Sequence, residues 1–433
     1  MSRHNDDGTL TIVTAALDHA YDLADFVRAS PTSYHAAVEG ARRLADAGFV
    51  SQDEVEEWEA TPGGHYLVRD GALMAWWIPD GATGTTPFRI VGSHTDSPGF
   101  KLKPRADVGA FGWQQVGVEI YGGPLLNSWL DRELGLAGRL FHDRSSQLVR
   151  TEAIMRIPQL AIHLDRGVNE DGVKLDKQQH TVPVWGVGSD DLRILDHLAG
   201  LAGCEPEEIL GHDVLAFDTA PPVIFGSQRE FLASGRLDNL SSVHASVTAM
   251  IAMDDGAYVT VLAAFDHEEL GSESRSGAAG PILSDVLSRT AHVLGATPDQ
   301  HHRALAGSFC LSADAGHAVH PNYASRHDLA NRPLLNGGPL LKLNANQRYA
   351  TDARGSSLWR RACRAAGIAT QEFVSHNSVP CGSTIGPLTA TRLGITTIDV
   401  GVPLLSMHSA RELAGVEDPY ALAQAITLFL SAD

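Results

Sequence analysis

The chain has 433 residues, 43% hydrophobic and 20% charged, a length suited to two domains and a composition that rules out a disordered or membrane-embedded polymer. Its 33 basic and 52 acidic side chains leave a formal charge of −19, which argues against a nucleic-acid partner because phosphate binding needs a positive surface. No run reaches the roughly 20 apolar residues of a membrane span, and the opening MSRHNDDGTL has no basic segment leading into an apolar one, so neither a membrane partner nor a secretory signal is expected.

Residues 11–49 carry apolar positions at helical spacing in TIVTAALDHAYDLADFV and YHAAVEGARRLADAGF, parted by Pro31, with Ser33 available to cap the second helix. YLVRDGALMAWWIP and PFRIVGS read as two strands with turn chemistry between them. From 98 to 231 the texture changes. Short β-like runs (QQVGVEIY, ELGLAGRLF, QLAIHL) alternate with turns, and 165–181 is a polar loop. After residue 232, strands VTVLAAF, SFCLSA and ITTIDVGV alternate with helices LSSVHASVTAMIAM, SLWRRACRAAGI and PYALAQAITLFL. Continuous apolar strands alternating with helices predict an α/β fold, a mostly parallel sheet covered on both faces. The expected division is a catalytic domain in two parts, 1–97 and 232–433, split by an inserted β-rich domain, 98–231. Cys204, Cys310, Cys363 and Cys381 are far apart with no C-x-x-C pair, which predicts reduced thiols and a cytoplasmic protein.

In open α/β sheets ligands bind beyond the carboxyl ends of the strands. Here those ends carry a repeated chemistry. PFRIVGS runs into His94-Thr95-Asp96, VTVLAAF into Asp266-His267-Glu268-Glu269, SFCLSA into Asp314, and ITTIDVGVPLLSM into His408; Asp238, in GRLDNL, stands directly before a helix. One His or Asp at a strand end is ordinarily a cap or a surface group. Five at equivalent places predict a metal rim. Two metals about 3.5–4 Å apart need a carboxylate that bridges them, zinc accepts imidazole and carboxylate, and one carboxylate must stay unligated to take a proton from the bridging water. Glu268 and Glu269 can divide these last tasks. His317 and His320 in HAVH mimic a helical metal pair, but their Pro- and Asn-rich setting points to a structural role near the site.

GSHTDSPGFKLKP, SGRLDN, FDHEELGS, SADAGHAVHPNY, GGPLLKLNANQRYA, PCGSTIGP and LSMHSARE, with SPTSYHA and IPQLAIHLDR, resemble in order the signature segments of the aspartyl aminopeptidase family, from about residue 25 to the C-terminus. The resemblance implies a dinuclear metalloaminopeptidase holding two divalent ions per subunit, zinc first, with cobalt and manganese as alternatives. It implies an inserted dimerisation domain and a tetrahedral homododecamer enclosing the active sites. Carried over residue by residue, Asp238 is the bridge, His94 and Asp314 complete one metal site, and Glu269 and His408 complete the other. Glu268 is then the general base, Asp96 orients the His94 imidazole, and the Asp238–Asn239 peptide is cis.

By the same resemblance Lys342 meets the acidic side chain of a peptide substrate, Tyr349 and the backbone around Met407 contact substrate, and His163 reaches into a neighbouring subunit's site. A buried ammonium favours a carboxylate and is left unsatisfied by a neutral side chain. The chain departs from the pattern at Ser375-His376-Asn377-Ser378, where many members place an arginine and an acid. The expected function is removal of single N-terminal residues, Asp and Glu preferred, from peptides. The alternatives are a related dinuclear hydrolase with neutral aminoacyl or amide specificity, and a non-catalytic shell or cargo protein of the same fold. Lys342 argues against the first, and the complete set of ligand positions argues against the second.

Overall fold

A computed structural model describes residues 6–143, 145–188 and 192–431, with side chains from residue 14 onward; the first five residues of the polar opening lie outside the described residues. Helix α1 (Asp6–Ala29) stops before Pro31 and α2 (Ser33–Asp46) follows it. The cap of α2 is Thr32, not the expected Ser33. Thr32 has the extended φ −141 and ψ 168 that a capping residue needs, and its hydroxyl accepts from the His35 N–H, whereas Ser33 is already helical.

A short β1 (Val50–Ser51) leads into YLVRDGALMAWWIP. Expected as one strand, this segment is a hairpin of β2 (Gly63–Arg69) and β3 (Ala72–Ile78), reversed at Asp70-Gly71 with Asp70 at φ 57. Strand β4 (Phe88–His94) then enters the centre of the main sheet.

The next segment builds a separate six-stranded antiparallel sheet. Its strands are β5 (Gly99–Ala110), β6 (Trp113–Tyr121), β7 (Leu134–His142), β8 (Ser145–Arg150), β9 (Val184–Val187) and β10 (Ile209–Asp218), in the order β8-β7-β10-β5-β6-β9. A short α3 (Val168–Asp171) interrupts the polar loop, and α4 (Ile194–Ala202) packs Ile194 and Leu198 into this sheet's own core with Phe100, Leu136 and Val214. QLAIHL is not a strand. Its backbone closes on itself, the Leu164 N–H donating to the Ala161 carbonyl, and Leu160, Ile162 and Leu164 stay exposed because no sheet face receives them.

From there the chain returns to the main body through β11 (Val223–Phe225), β12 (Phe231–Ser234), α5 (Leu237–Ile251), β13 (Val259–Phe265), α6 (Ile282–Val293), α7 (Pro298–Ala306), β14 (Phe309–Ala313) and β15 (Gly316–His317). It ends with β16 (Leu340–Lys342), α8 (Ala353–Ala365), β17 (Gln371–Phe373), α9 (Ile385–Leu393), β18 (Thr396–Gly401), β19 (Pro403–Leu405), β20 (Glu412–Gly415) and α10 (Glu417–Ser431). The main sheet runs β1-β2-β3-β13-β4-β14-β18-β16-β17, and its four central strands, β13, β4, β14 and β18, are mutually parallel. A third sheet, β11-β12-β20-β19-β15, joins residues on both sides of β13.

Both faces of the main sheet are covered, which explains why its strands read as unbroken apolar runs. Along β13, Leu262 and Ala264 join a core with residues of α1, α2, α5, α8 and α10, while Val259, Val261, Ala263 and Phe265 join the opposite core with residues of α6, α7 and α9. This is the two-residue period of a strand sorted between two helical layers. No helix among the described residues is long and apolar enough to cross a membrane, and all four cysteines are free.

Candidate active site

The parallel strands deliver their polar residues to one rim. His94 is the last residue of β4, paired in register with Phe265 at the end of β13, so Glu268 and Glu269 follow one turn later beside it. Asp314 follows β14 directly. Asp238 lies in the first turn of α5, where it and Asn239 leave helical geometry around a cis peptide bond, and the Asn239 amide donates to the Ala313 carbonyl at 2.9 Å. That bond ties the turn to the end of β14. His408 comes from the loop after β19 and has φ 64.

All six side chains meet. His94 Nε2 is 3.4 Å from Asp238 Oδ1 and 3.4 Å from Asp314 Oδ1, and His408 Nε2 is 3.4 Å from Asp238 Oδ2 and 3.5 Å from Glu269 Oε2. Asp238 thus turns one oxygen to each imidazole. Glu268 stands further back, its Oε2 at 3.9 Å from His94 Nε2. The His94, Asp238 and Glu269 donor atoms lie within 4.8 Å of one another.

A second row fixes these groups through the backbone. The Asp96 carbonyl faces His94 Nδ1 at 3.0 Å, and its carboxylate accepts the Glu268 and Glu269 N–H groups at 3.0 and 3.2 Å and the Tyr121 hydroxyl at 2.9 Å. Glu412 accepts from the Asp238 N–H at 2.9 Å and from the His408 N–H at 2.7 Å. The Gly123 carbonyl faces His408 Nδ1 at 3.0 Å. Its neighbour Gly122 has φ 67, and a Cβ there would stand 3.2 Å from both the Cβ and the carbonyl oxygen of Glu269, so the turn after β6 requires glycine. Glu412, Tyr121 and the Gly122-Gly123 pair escaped the sequence reading.

The electrostatics are those of a cation site. Burial opposes charge on His94, yet the Asp238, Asp314 and Asp96 carboxylates outweigh it and hold this imidazole's pKa well above its ordinary value. Burial likewise opposes charge on His408, and Asp238 and Glu269 still push it up to about 10. Burial raises Glu268 to about 8, with Asp314, Asp96 and Asp238 adding to it against His94, and burial with the Asp238 charge raises Glu269 well above the carboxylate range. Asp238 Oδ1 and Glu269 Oε1 are buried with no hydrogen-bond donor. Glu269, driven by burial to hold a proton, and Asp238, held ionised against burial by the two imidazoles beside it, each keep a buried oxygen without a donor among the described residues; this fits divalent metal, and imidazole with carboxylate is a zinc donor set.

These groups floor a cavity of about 500 Å³ that Lys342, Tyr349, Met407, His317 and Thr384 also line. Lys342 is 2% exposed; its Nζ donates to the Ala315 carbonyl at 2.6 Å and lies 3.5 Å from Asp314 Oδ2 and 5.4 Å from the Tyr349 ring centre. Asp314 therefore faces His94 with one oxygen and Lys342 with the other. Ser375-His376-Asn377-Ser378 line a separate groove with Asn344 and Arg348. His163 sits on the exposed turn 161–164 and is not among the residues lining the cavity. His320 accepts from the Asn322 N–H at 3.2 Å and caps a turn.

A parallel-sheet rim with this donor set defines a metal-dependent hydrolase. The profile of the family described as Aminopeptidase I zinc metalloprotease (M18) matches residues 26–431. The chain is 54% identical over 421 residues to a probable M18 family aminopeptidase 2 of Streptomyces coelicolor, covering 95% of this chain and 97% of that relative. It is also similar to a chain in the cryo-EM structure of the Ape4 and Nbr1 complex, with 34% identity and a TM-score of 0.92, covering 97% of this chain and 86% of that one. The S. cerevisiae mApe1 dodecamer matches with 29% identity and a TM-score of 0.84, over 96% of this chain and 97% of that one. The chain belongs to the M18 family of zinc aminopeptidases, hydrolases of N-terminal peptide bonds, with which the aspartyl aminopeptidase resemblance agrees.

Proposed function

We propose that this enzyme releases single N-terminal residues, Asp and Glu in preference, using two zinc ions per subunit. Asp238 would bridge them, with His94 and Asp314 on one and Glu269 and His408 on the other. The observation that carries this reading is the split of the Asp238 carboxylate, one oxygen at 3.4 Å from each imidazole. When bound, the ions polarise the scissile carbonyl and lower the pKa of water. Glu268, further from His94 than either aspartate and engaged by neither imidazole as closely, is the general base. It takes a proton as water oxygen bonds to the carbonyl carbon and returns it to the amine nitrogen as the C–N bond breaks. Asp96 holds the Glu268-Glu269 turn in place through the two N–H groups it accepts.

The metals would hold any free amine and scissile carbonyl, so discrimination among side chains falls to the cavity wall. Lys342 supports an acidic preference because it is a buried cation one carboxylate removed from the metal-facing groups, at a depth that suits a short acidic side chain. Tyr349 and the backbone at Met407 would contact the substrate. By analogy with the mApe1 dodecamer the enzyme would form a homododecamer; the aspartyl aminopeptidase resemblance further suggests that it is tetrahedral, that the inserted region 98–231 serves dimerisation and that His163 completes a neighbour's site. Four free cysteines, two of them buried, support a reducing compartment, for which we propose the cytoplasm. The test is a kcat/KM profile over Asp-, Glu-, Leu- and Ala-aminoacyl substrates with apoenzyme reloaded with zinc, cobalt or manganese. Asp and Glu should lead for the activating metal; a lead by Leu or Ala would overturn the acidic preference.

A further inference from the structure

Two buried carboxylates stand behind the metal-facing side chains, and each gathers a pair of main-chain N–H groups. Asp96 takes those of Glu268 and Glu269. Glu412, 2% exposed, takes those of Asp238 through Oε2 and of His408 through Oε1. Resting on the two-ion reading above, we propose that Glu412 is a positioning residue that sets the His408 ion site, holding this imidazole against the bridging Asp238 without touching an ion itself.

The two donors belong to distant elements, the first turn of α5 and the loop after β19, and Glu412 clamps one to the other. The loop needs a clamp. Ser406 and His408 have φ 57 and 64, a left-handed conformation that costs a side-chain-bearing residue about 1–2 kcal/mol. The Leu125 N–H donates to the His408 carbonyl at 2.8 Å and the Gly123 carbonyl faces the ring, which leaves the His408 N–H to Glu412 alone. Asp238 is anchored in helix α5 and by the Ser97 hydroxyl, which donates to its carbonyl at 2.7 Å, whereas the other two holds on His408 come from the turn after β6 and tie its backbone to nothing in α5. Loss of Glu412 therefore falls on His408 first. Only a full-length carboxylate serves: aspartate is one methylene short, and glutamine offers one acceptor oxygen and would turn an N–H toward the second N–H.

The test is titration of the apoenzyme with Co2+, followed by visible absorption, for the wild type, Glu412→Gln and Glu412→Asp. The wild type should take up two ions. In Glu412→Gln the first ion should bind as in the wild type, while the second dissociation constant rises about 10- to 100-fold, the range for losing a partner that orients a metal ligand. Glu412→Asp should behave likewise, and it keeps a carboxyl group at this position should the Gln variant fail to fold. Superimposable titrations would overturn the proposal, as would equal weakening of both ions together with a lowered melting temperature of the apoprotein. A wild type that takes up a single cobalt ion overturns the two-ion reading and this inference with it.

Discussion

The two imidazoles of the site are built in opposite ways. His94 ends a central strand, hydrogen-bonded on both sides within the parallel sheet, and its side chain is 2% exposed. His408 sits on a loop with a left-handed backbone, and its side chain is 33% exposed. Its ring and carbonyl are held by Gly123 and Leu125, which follow strand β6 of the six-stranded sheet. One half of the site is a by-product of the main sheet. The other half is assembled from loops and closed by the second sheet. Changes to the sheet core should therefore damage both halves, whereas changes to the loops should damage only one.

Asp238→Ala erases the comparison, since the shared carboxylate serves both halves. It should lose both ions by elemental analysis and with them all measurable turnover; two occupied sites in its crystals would contradict the bridge. Glu268→Gln should leave both halves intact and still lower kcat by about 10²–10⁴-fold, the worth of a general base. A lost ion in that variant would mean that Glu268 and Glu269 are exchanged. Lys342→Leu acts at the cavity wall beside the His94 half, next to Asp314. Removing the cation should cost about 2–5 kcal/mol, so kcat/KM for Asp- and Glu-peptides should fall about 30- to 4,000-fold by the usual 1.4 kcal/mol per decade. Leu- and Ala-peptides should be little affected, and an unchanged ratio of acidic to neutral turnover would remove Lys342 from specificity. The smallest effect belongs to the His408 half. Gly122→Ala should destabilise by about 1–2 kcal/mol, for its positive φ and the crowding of Glu269, and should weaken one ion only; calorimetry with zinc titration reads both.

The sequence discloses ligands of both halves, His408 and Asp238 included, and the division shows instead among the residues that support them. The strand-end residues His94, Glu268, Glu269 and Asp314 were legible because each closes an unbroken apolar run, and the run itself predicts the sheet that collects them. Asp96 was legible by its place two residues after His94. Glu412 was not, because its partners are N–H groups, which every residue but proline owns, and no side-chain pattern announces them. Gly122 and Gly123 were hidden in a segment whose alternating texture speaks only of its own sheet. The hairpin was in fact legible, since Arg69-Asp70-Gly71 interrupts the apolar run and Asp-Gly between two such runs is a two-residue turn signal. Helices α4, α6, α7 and α9 were passed over. They are core helices nonetheless: α6 and α9 bury Ile282, Val286, Leu287 and Ile385 against one face of the main sheet, and α4 buries Ile194 and Leu198 against the second sheet.

The central claim is that a sheet-built half and a loop-built half share one carboxylate, and anomalous diffraction from zinc-loaded crystals of Glu269→Ala tests it most directly. Glu269 is 3.5 Å from His408 Nε2 and has no such close contact with His94, although its donor atoms, those of His94 and those of Asp238 also fall within 4.8 Å of one another. The account predicts one strong zinc peak, between His94, Asp238 and Asp314, with the His408 side empty or weakly filled. Two peaks of full occupancy, or a single peak beside His408, would contradict it.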